Sequence, residues 1–131
     1  MKKLLLCFCV TALALFSAQA GEKVADIDHD ALKKAIASGS VTVIDVNGTS
    51  SYKEGHIPGA IDYQAKKADL AALLPKDKSS LVVAYCGSPS CGAYKQAADA
   101  AVALGYTNVK HYSGGLSGWK SKNETLEPGK S

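Results

Sequence analysis

Read for the spacing of its apolar residues, the chain alternates between short strand-like runs and stretches of helical period. Leu32, Ala35 and Ile36 share a helical face, with Asp28 or Asp30 placed to cap the start and Gly39 to stop the end, which predicts a first helix through Ile36. V-T-V-I-D-V over 41–46 is β-branched and of strand length, and reads as a core strand. Residues 47–51 read as a turn, 52–54 as a short helical turn, 55–59 as a loop and 60–63 as a short strand. Leu70, Leu73 and Leu74 cluster on one side of a helix over 66–74, and Pro75 marks its exit. A solvated turn at 76–79 precedes L-V-V-A-Y at 81–85, an apolar strand of the buried type. An Ala-rich helix over 93–104 follows and stops at Gly105, its Ala97, Ala100, Ala101 and Leu104 suited to close packing on a sheet. A short strand at 108–112, a small helix starting in 114–119 and a polar tail over 123–131 complete the pattern.

Strand and helix patterns that alternate in this way predict an α/β domain with a mainly parallel sheet. In such sheets ligands bind beyond the carboxyl ends of the strands, where Asp45 and Cys86 both stand. No internal repeat or low-complexity region is present.

The first twenty residues fall outside this pattern. Lys2 and Lys3 form a basic start, residues 4–16 an apolar run, and Ala18-Gln19-Ala20 a small-x-small cleavage site. This is the pattern of a secretory signal cleaved after Ala20, and the apolar run is short for a bilayer span of ~20 residues. Residues 21–131 then form one domain, exported to the periplasm or beyond, with no stable membrane insertion after cleavage. All 15 basic residues are lysines, two of them in the leader, against 12 acids. The near-neutral balance gives no electrostatic case for nucleic acid, and the lack of arginine excludes bidentate arginine recognition of anions. Cys7 and Cys9 leave with the leader, so Cys86 and Cys91 are the cysteines of the mature chain, in a compartment where disulfides persist. Their C-x-x-x-x-C spacing matches neither the C-x-x-C of thioredoxin-type oxidoreductases nor a zinc pattern. The sequence predicts no metal and no organic cofactor.

Cys86 is the candidate nucleophile. It lies at the end of a buried-type strand, and a loop of small residues carries the chain from it into a helix. The thiolate is the reactive form of cysteine, and a free thiol with pKa ~8.5 is mostly protonated at neutral pH. Unpaired N–H groups at a helix start and along a tight loop favour an anion. Gly87, Ser88, Ser90 and Gly92 suit such an anion-binding loop, with Pro89 stiffening it and Cys91 near its end.

Four stretches, V-I-D-V ending at Val46, Y-K-E-G-H-I-P-G-A-I over 52–61, the strand 81–85 with Cys86 after it, and G-G-L-S-G-W over 114–119, occur in this order. In these the chain resembles the rhodanese family of sulfurtransferases, particularly the small single-domain type exported to the periplasm. The resemblance implies a three-layer domain, with helices on both sides of the sheet, and a persulfide cycle on Cys86. The donor is a polysulfide, a persulfide or thiosulfate, and the acceptor a small thiol or a protein. The loop from Gly87 to Gly92 then stabilises thiolate and persulfide anions as an oxyanion hole does.

The chain departs from the family at two places. Asn47 stands where the strand-end motif usually has arginine, and the cysteine loop contains no cation. Lys95 is the nearest substitute in sequence, so polysulfide or a small persulfide suits the site better than dianionic thiosulfate. The related dual-specificity phosphatases use a longer loop and an arginine that grips phosphate, whereas the seventh position here is Gly92. Asp45 is expected to orient loop amides, and His56 to fix its loop or to act as a titrating accessory group. Cys91 is either a small hydrophobe at the helix start or a resolving thiol that attacks the persulfide and closes a disulfide. Bridging needs Cα atoms within ~7 Å, which a loop wound around an anion does not guarantee. Two other functions stay open: a non-catalytic sulfur-carrier or binding module, and a thiol–disulfide oxidoreductase using Cys86 and Cys91.

Overall fold

Two apolar strands, β2 (Val41–Asp45) and β4 (Leu81–Tyr85), lie side by side and parallel, in register from Val41 opposite Leu81 to Asp45 opposite Tyr85. The computed structural model describes residues 23–130; the expected leader at 1–20 lies outside the described residues. Around the central pair, β5 (Val109–His111) flanks β4, β3 (Ile61–Asp62) flanks β2, and β1 (Ala25–Asp26) pairs with β5 at the edge. All pairings are parallel and the order is β1-β5-β4-β2-β3. This is the expected α/β architecture, and a parallel sheet needs cover on both faces.

The alternation of side chains along each strand divides the core in two. Ile44, Val82 and Ala84 face α5 (Tyr94–Ala103) and α4 (Leu70–Leu73), meeting Ala97, Ala98, Ala101 and Leu70. Val43, Val83 and Tyr85 face the other way, toward Leu32 of α1 (His29–Ala37) and Leu116 and Trp119 of α6 (Gly115–Ser121). Helix–sheet–helix is the three-layer arrangement implied by the resemblance. Alanines at positions 97 and 101, both fully buried, let α5 approach the strands closely.

Of the two caps predicted for α1, Asp28 serves, its Oδ1 accepting from the Ala31 N–H at 2.8 Å. Local structure otherwise follows the predicted pattern with three differences. The predicted turn at 47–51 is partly helix: α2 (Thr49–Glu54) begins right after Gly48, whose φ of 90° suits glycine. The predicted helix over 66–74 is broken into α3 (Tyr63–Lys66), a 3-10 turn (Lys67–Asp69) and α4. Asp62 starts α3 by accepting from the Ala65 N–H at 3.3 Å, and of the three leucines only Leu70 and Leu74 are buried. Lastly, the polar tail is not free. Glu127 pairs its N–H and C=O with His56, both at 2.9 Å, the Trp119 indole donates to Thr125 O, and Leu126 packs beside Gly55. β1, two residues long, is too short to carry a periodic signal.

His111 is buried in β5 with its ring stacked on Tyr94, centroids 3.4 Å apart. Its Nε2 has no hydrogen-bond partner, and Nδ1 is 4.0 Å from Asp26 Oδ1. Burial pushes its pKa below the ordinary histidine value, outweighing the pull of Asp26 and reinforced by Lys23. The unfolded chain then takes up a proton before the folded one does, so His111 withdraws stability as pH falls below about 6.5. Urea unfolding of wild type and His111→Gln between about pH 7.5 and 5.5 should show the difference shifting toward the variant as pH falls. A difference that stays flat contradicts this.

Candidate active site at the end of β4

Cys86 follows the last residue of β4 and is only 1% exposed. The carbonyls that would run on unpaired beyond the strand are taken by α6: the Leu116 N–H donates to Cys86 O at 2.8 Å and the Ser117 N–H to Gly87 O at 2.9 Å. That contact requires glycine at position 115. Its φ is +61°, and a Cβ there would sit 2.7 Å from Cys86 O and 2.9 Å from Ser88 N. The G-G-L-S-G-W motif is therefore the clamp that holds the cysteine loop.

Within the loop, the Cys91 N–H donates to Ser88 O at 3.1 Å, closing a turn with Pro89 and Ser90 exposed at its tip. Cys86 and Cys91 are joined as a disulfide, with Cα atoms 6.3 Å apart. The loop thus holds the two cysteines within the ~7 Å that bridging needs. In this oxidised form one N–H of the expected cradle, that of Cys91, is taken up by Ser88 O. Cys86 Sγ lies 3.3 Å from Cys91 O, a contact that becomes an S–H···O hydrogen bond only when the bridge is open. The two sulfurs sit in different surroundings: Cys86 is in the core, Cys91 partly exposed.

Beside the loop stands a buried polar network. Asp45, 1% exposed, accepts from the Asn47 N–H at 2.7 Å through Oδ1 and from the Tyr85 hydroxyl through Oδ2. The Tyr85 oxygen in turn accepts from the Ile57 N–H at 3.0 Å. Burial pushes the Asp45 carboxyl above the usual carboxylate range, opposed by the donors on Tyr85 and Asn47. Burial, then the charge on Asp45, pushes the Tyr85 phenol far up, so Tyr85 stays protonated and donates. Asp45 orients the backbone at the end of β2. The Asn47 side chain reaches the loop: its Oδ1 is 3.3 Å from where a Cβ on Gly87 would be. Its buried Nδ2 has no partner at hydrogen-bond geometry, although Asn47 still favours the charged form of Asp45.

The other expected accessory groups, His56 and Lys95, have partners of their own. His56 is buried, stacked on Tyr52 with centroids 3.7 Å apart, its Nδ1 3.0 Å from Tyr52 O and its Nε2 3.7 Å from Glu127 Oε2. These contacts tie the 55–59 loop to the C-terminal segment. Lys95 is exposed in the first turn of α5, with its backbone N–H on Gly92 O at 3.2 Å. A cavity of about 340 Å³ opens at the end of β2, and Lys67 rather than Lys95 is the lysine that lines it. The sequence carries no motif for this cavity, because its residues come from the end of β2, from the broken helix over 63–73 and from α5.

The family model for the rhodanese-like domain matches residues 28–122. The chain belongs to the rhodanese-like domain family. It is similar to the BH2092 protein of Bacillus halodurans, 28% identical with a TM-score of 0.63, over 80% of this chain and 77% of that one. It is also similar to the human single-domain sulfurtransferase TSTD1, 25% identical with a TM-score of 0.56, over 74% of this chain and 96% of that one. A curated relative, the HTH-type transcriptional regulator Rv0324 of Mycobacterium tuberculosis, is 34% identical over 93 residues, or 70% of this chain. The match spans about 40% of that regulator's length.

Tyr85→Phe should leave a buried carboxylate oxygen and the Ile57 N–H unpaired, at about 1–3 kcal/mol for each group. Urea unfolding measures the loss. A change under about 0.5 kcal/mol would mean that the network does not hold the strand ends together.

Proposed function

We propose that this rhodanese-like domain is a sulfurtransferase that carries sulfane sulfur on Cys86, in the periplasm or outside the cell. The observation that carries the reading is the position of Cys86 at the carboxyl end of the central strand, in a loop clamped by α6, within a rhodanese-like domain. Similarity to a single-domain sulfurtransferase supports the same class of chemistry. The signal pattern at 1–20 and the paired cysteines both support export to an oxidising compartment.

The cycle begins from the dithiol. A small thiol opens the bridge by attacking the partly exposed Cys91 sulfur, forming a mixed disulfide there and releasing Cys86 as thiolate. A second thiol frees Cys91, so two thiols become one external disulfide and the pair gains two electrons. The Cys86 thiolate then attacks the outer sulfur of a donor R–S–SH. The donor's S–S bond breaks, R–S⁻ leaves, and Cys86–S–SH remains. An acceptor thiolate attacks that outer sulfur, forms its own persulfide and regenerates the Cys86 thiolate. With no cation in the loop, a polysulfide or small persulfide is the preferred donor over thiosulfate.

A second reading is favoured by the 6.3 Å Cα separation. The Cys91 thiolate attacks the inner sulfur of Cys86–S–SH, expels HS⁻ and closes the disulfide. The cysteine pair supplies the two electrons that reduce sulfane sulfur to sulfide. In a third arrangement the oxidised loop is catalytically silent and the domain binds sulfur species or a partner protein.

Intact mass separates these. After reduction and removal of reductant, polysulfide should add one sulfur, about 32 Da, to wild type and to Cys91→Ser but not to Cys86→Ser. Persistence of the adduct in Cys91→Ser, with sulfide release and a loss of two hydrogens in wild type, selects the resolving role. No uptake by the reduced protein counts against the sulfurtransferase.

A further inference from the structure

We infer that His111 is a positioning residue for the cysteine pair: its ring, stacked on Tyr94, holds the start of α5 so that Cys91 stays within reach of Cys86, which sets how strongly the disulfide is favoured over the dithiol. The inference concerns the thiol–disulfide equilibrium of the pair and stands with or without sulfur transfer. The cysteine loop is held at two ends. At the first, α6 fixes the chain, with the Leu116 N–H on Cys86 O at 2.8 Å and the Ser117 N–H on Gly87 O at 2.9 Å. At the second, Tyr94 opens α5 shortly after Cys91. The Lys95 N–H donates to Gly92 O at 3.2 Å and the Gln96 N–H to Ala93 O at 3.1 Å, which makes Gly92 and Ala93 part of the helix start. A side chain that anchors Tyr94 therefore anchors Cys91 as well.

That anchor is the imidazole. Tyr94 and His111 are both buried, their rings within 5° of parallel and their centroids 3.4 Å apart. Because β5 is registered on β4 with His111 opposite Ala84, the imidazole lies on the face of the sheet that α5 covers. Tyr94 belongs to the apolar cluster that contains Cys86, and Cys91 packs against the same cluster. A second tie on this turn, the Tyr63 hydroxyl donating to Gln96 O at 3.2 Å, is exposed, where water competes for it. The histidine carries a cost. Its buried Nε2 has no hydrogen-bond partner among the described residues, and Nδ1 is 4.0 Å from Asp26 Oδ1. A leucine would fill the position without an unpaired nitrogen. What the imidazole adds is a flat face against the tyrosine, and paired rings contribute beyond the area they bury. With the loop held at both ends, the reduced chain keeps Cys91 near the 6.3 Å Cα separation of the bridge. Less conformational freedom is then lost when the bridge closes, and the disulfide is favoured.

The test equilibrates the full mature chain with glutathione and glutathione disulfide. The protein dithiol and one glutathione disulfide give the protein disulfide and two glutathione thiols. Alkylation followed by intact mass reads the oxidised fraction. His111→Leu and Tyr94→Leu should each shift this equilibrium toward the dithiol by about two- to tenfold, the range for one aromatic pair. The double variant should shift it no further than either alone. Tyr94→Phe keeps the ring and should behave as wild type. A stack that only supports the fold would lower the urea stability of the oxidised and reduced forms alike and leave the equilibrium unmoved, and that result overturns the inference. Single effects that add in full in the double variant overturn it too, as does a Tyr94→Phe shift equal to that of Tyr94→Leu. Where His111→Leu does not fold, Tyr94→Leu against Tyr94→Phe decides on the same criterion. Sulfur uptake enters none of these readouts, so a failure of sulfur transfer and a failure of the stack are separate results.

Discussion

The parallel pairing of β2 with β4 is the constraint on which the site depends. Because Asp45 is registered opposite Tyr85, a buried carboxylate and a buried phenol meet at the strand ends and satisfy one another. An unpaired carboxylate in that position would be costly, and so would a phenol left without a partner. The pair also fixes the Ile57 N–H and the Asn47 N–H, so the chain leaves β2 and enters the 55–59 loop on defined paths. A slip of one residue would turn every side chain of the strand to the opposite face, removing both the core contacts and the polar network.

From this frame Cys86 emerges in the core rather than at the surface. Its carbonyl and that of Gly87 are held by α6, and the approach is possible because position 115 has no side chain. Loop and helix thus form one unit, with the C-terminal segment fastened over it through Trp119, Thr125 and the His56–Glu127 bridge. Ordered backbone hydrogen bonds of this kind let a short loop present one sulfur reproducibly. In the proposed cycle, exposure favours Cys91 for the opening step, with Cys86 as the carrier.

Electrostatics around the loop are modest. The chain contains no arginine, Lys95 is exposed on α5, and Asn47 brings an uncharged amide near Gly87. For the proposed function, a loop without a cation suits a singly charged persulfide better than a dianion. Lys67 introduces positive charge at the neighbouring cavity instead.

The strand–helix order, the core strands at 41–46 and 81–85, the Ala-rich helix and the place of Cys86 at a strand end could all be read from the sequence. They are set by local propensity, by apolar spacing and by glycine and proline, which act within a few residues. The break of the 66–74 helix, the docking of the tail, the edge strand at Ala25–Asp26 and the clamp at Gly115 could not. The tail and the clamp depend on partners far along the chain: Glu127 and His56, like Leu116 and Cys86, are brought together only by folding. The same holds for the cavity, whose walls come from four separate elements and share no motif. The sequence by itself determined the class of fold and the place of a cysteine at the end of its central strand. Tertiary structure alone decided the cysteine pairing, the buried carboxylate–phenol contact and the position of Lys67, because these are distances between segments, and apolar periodicity carries no information about distance.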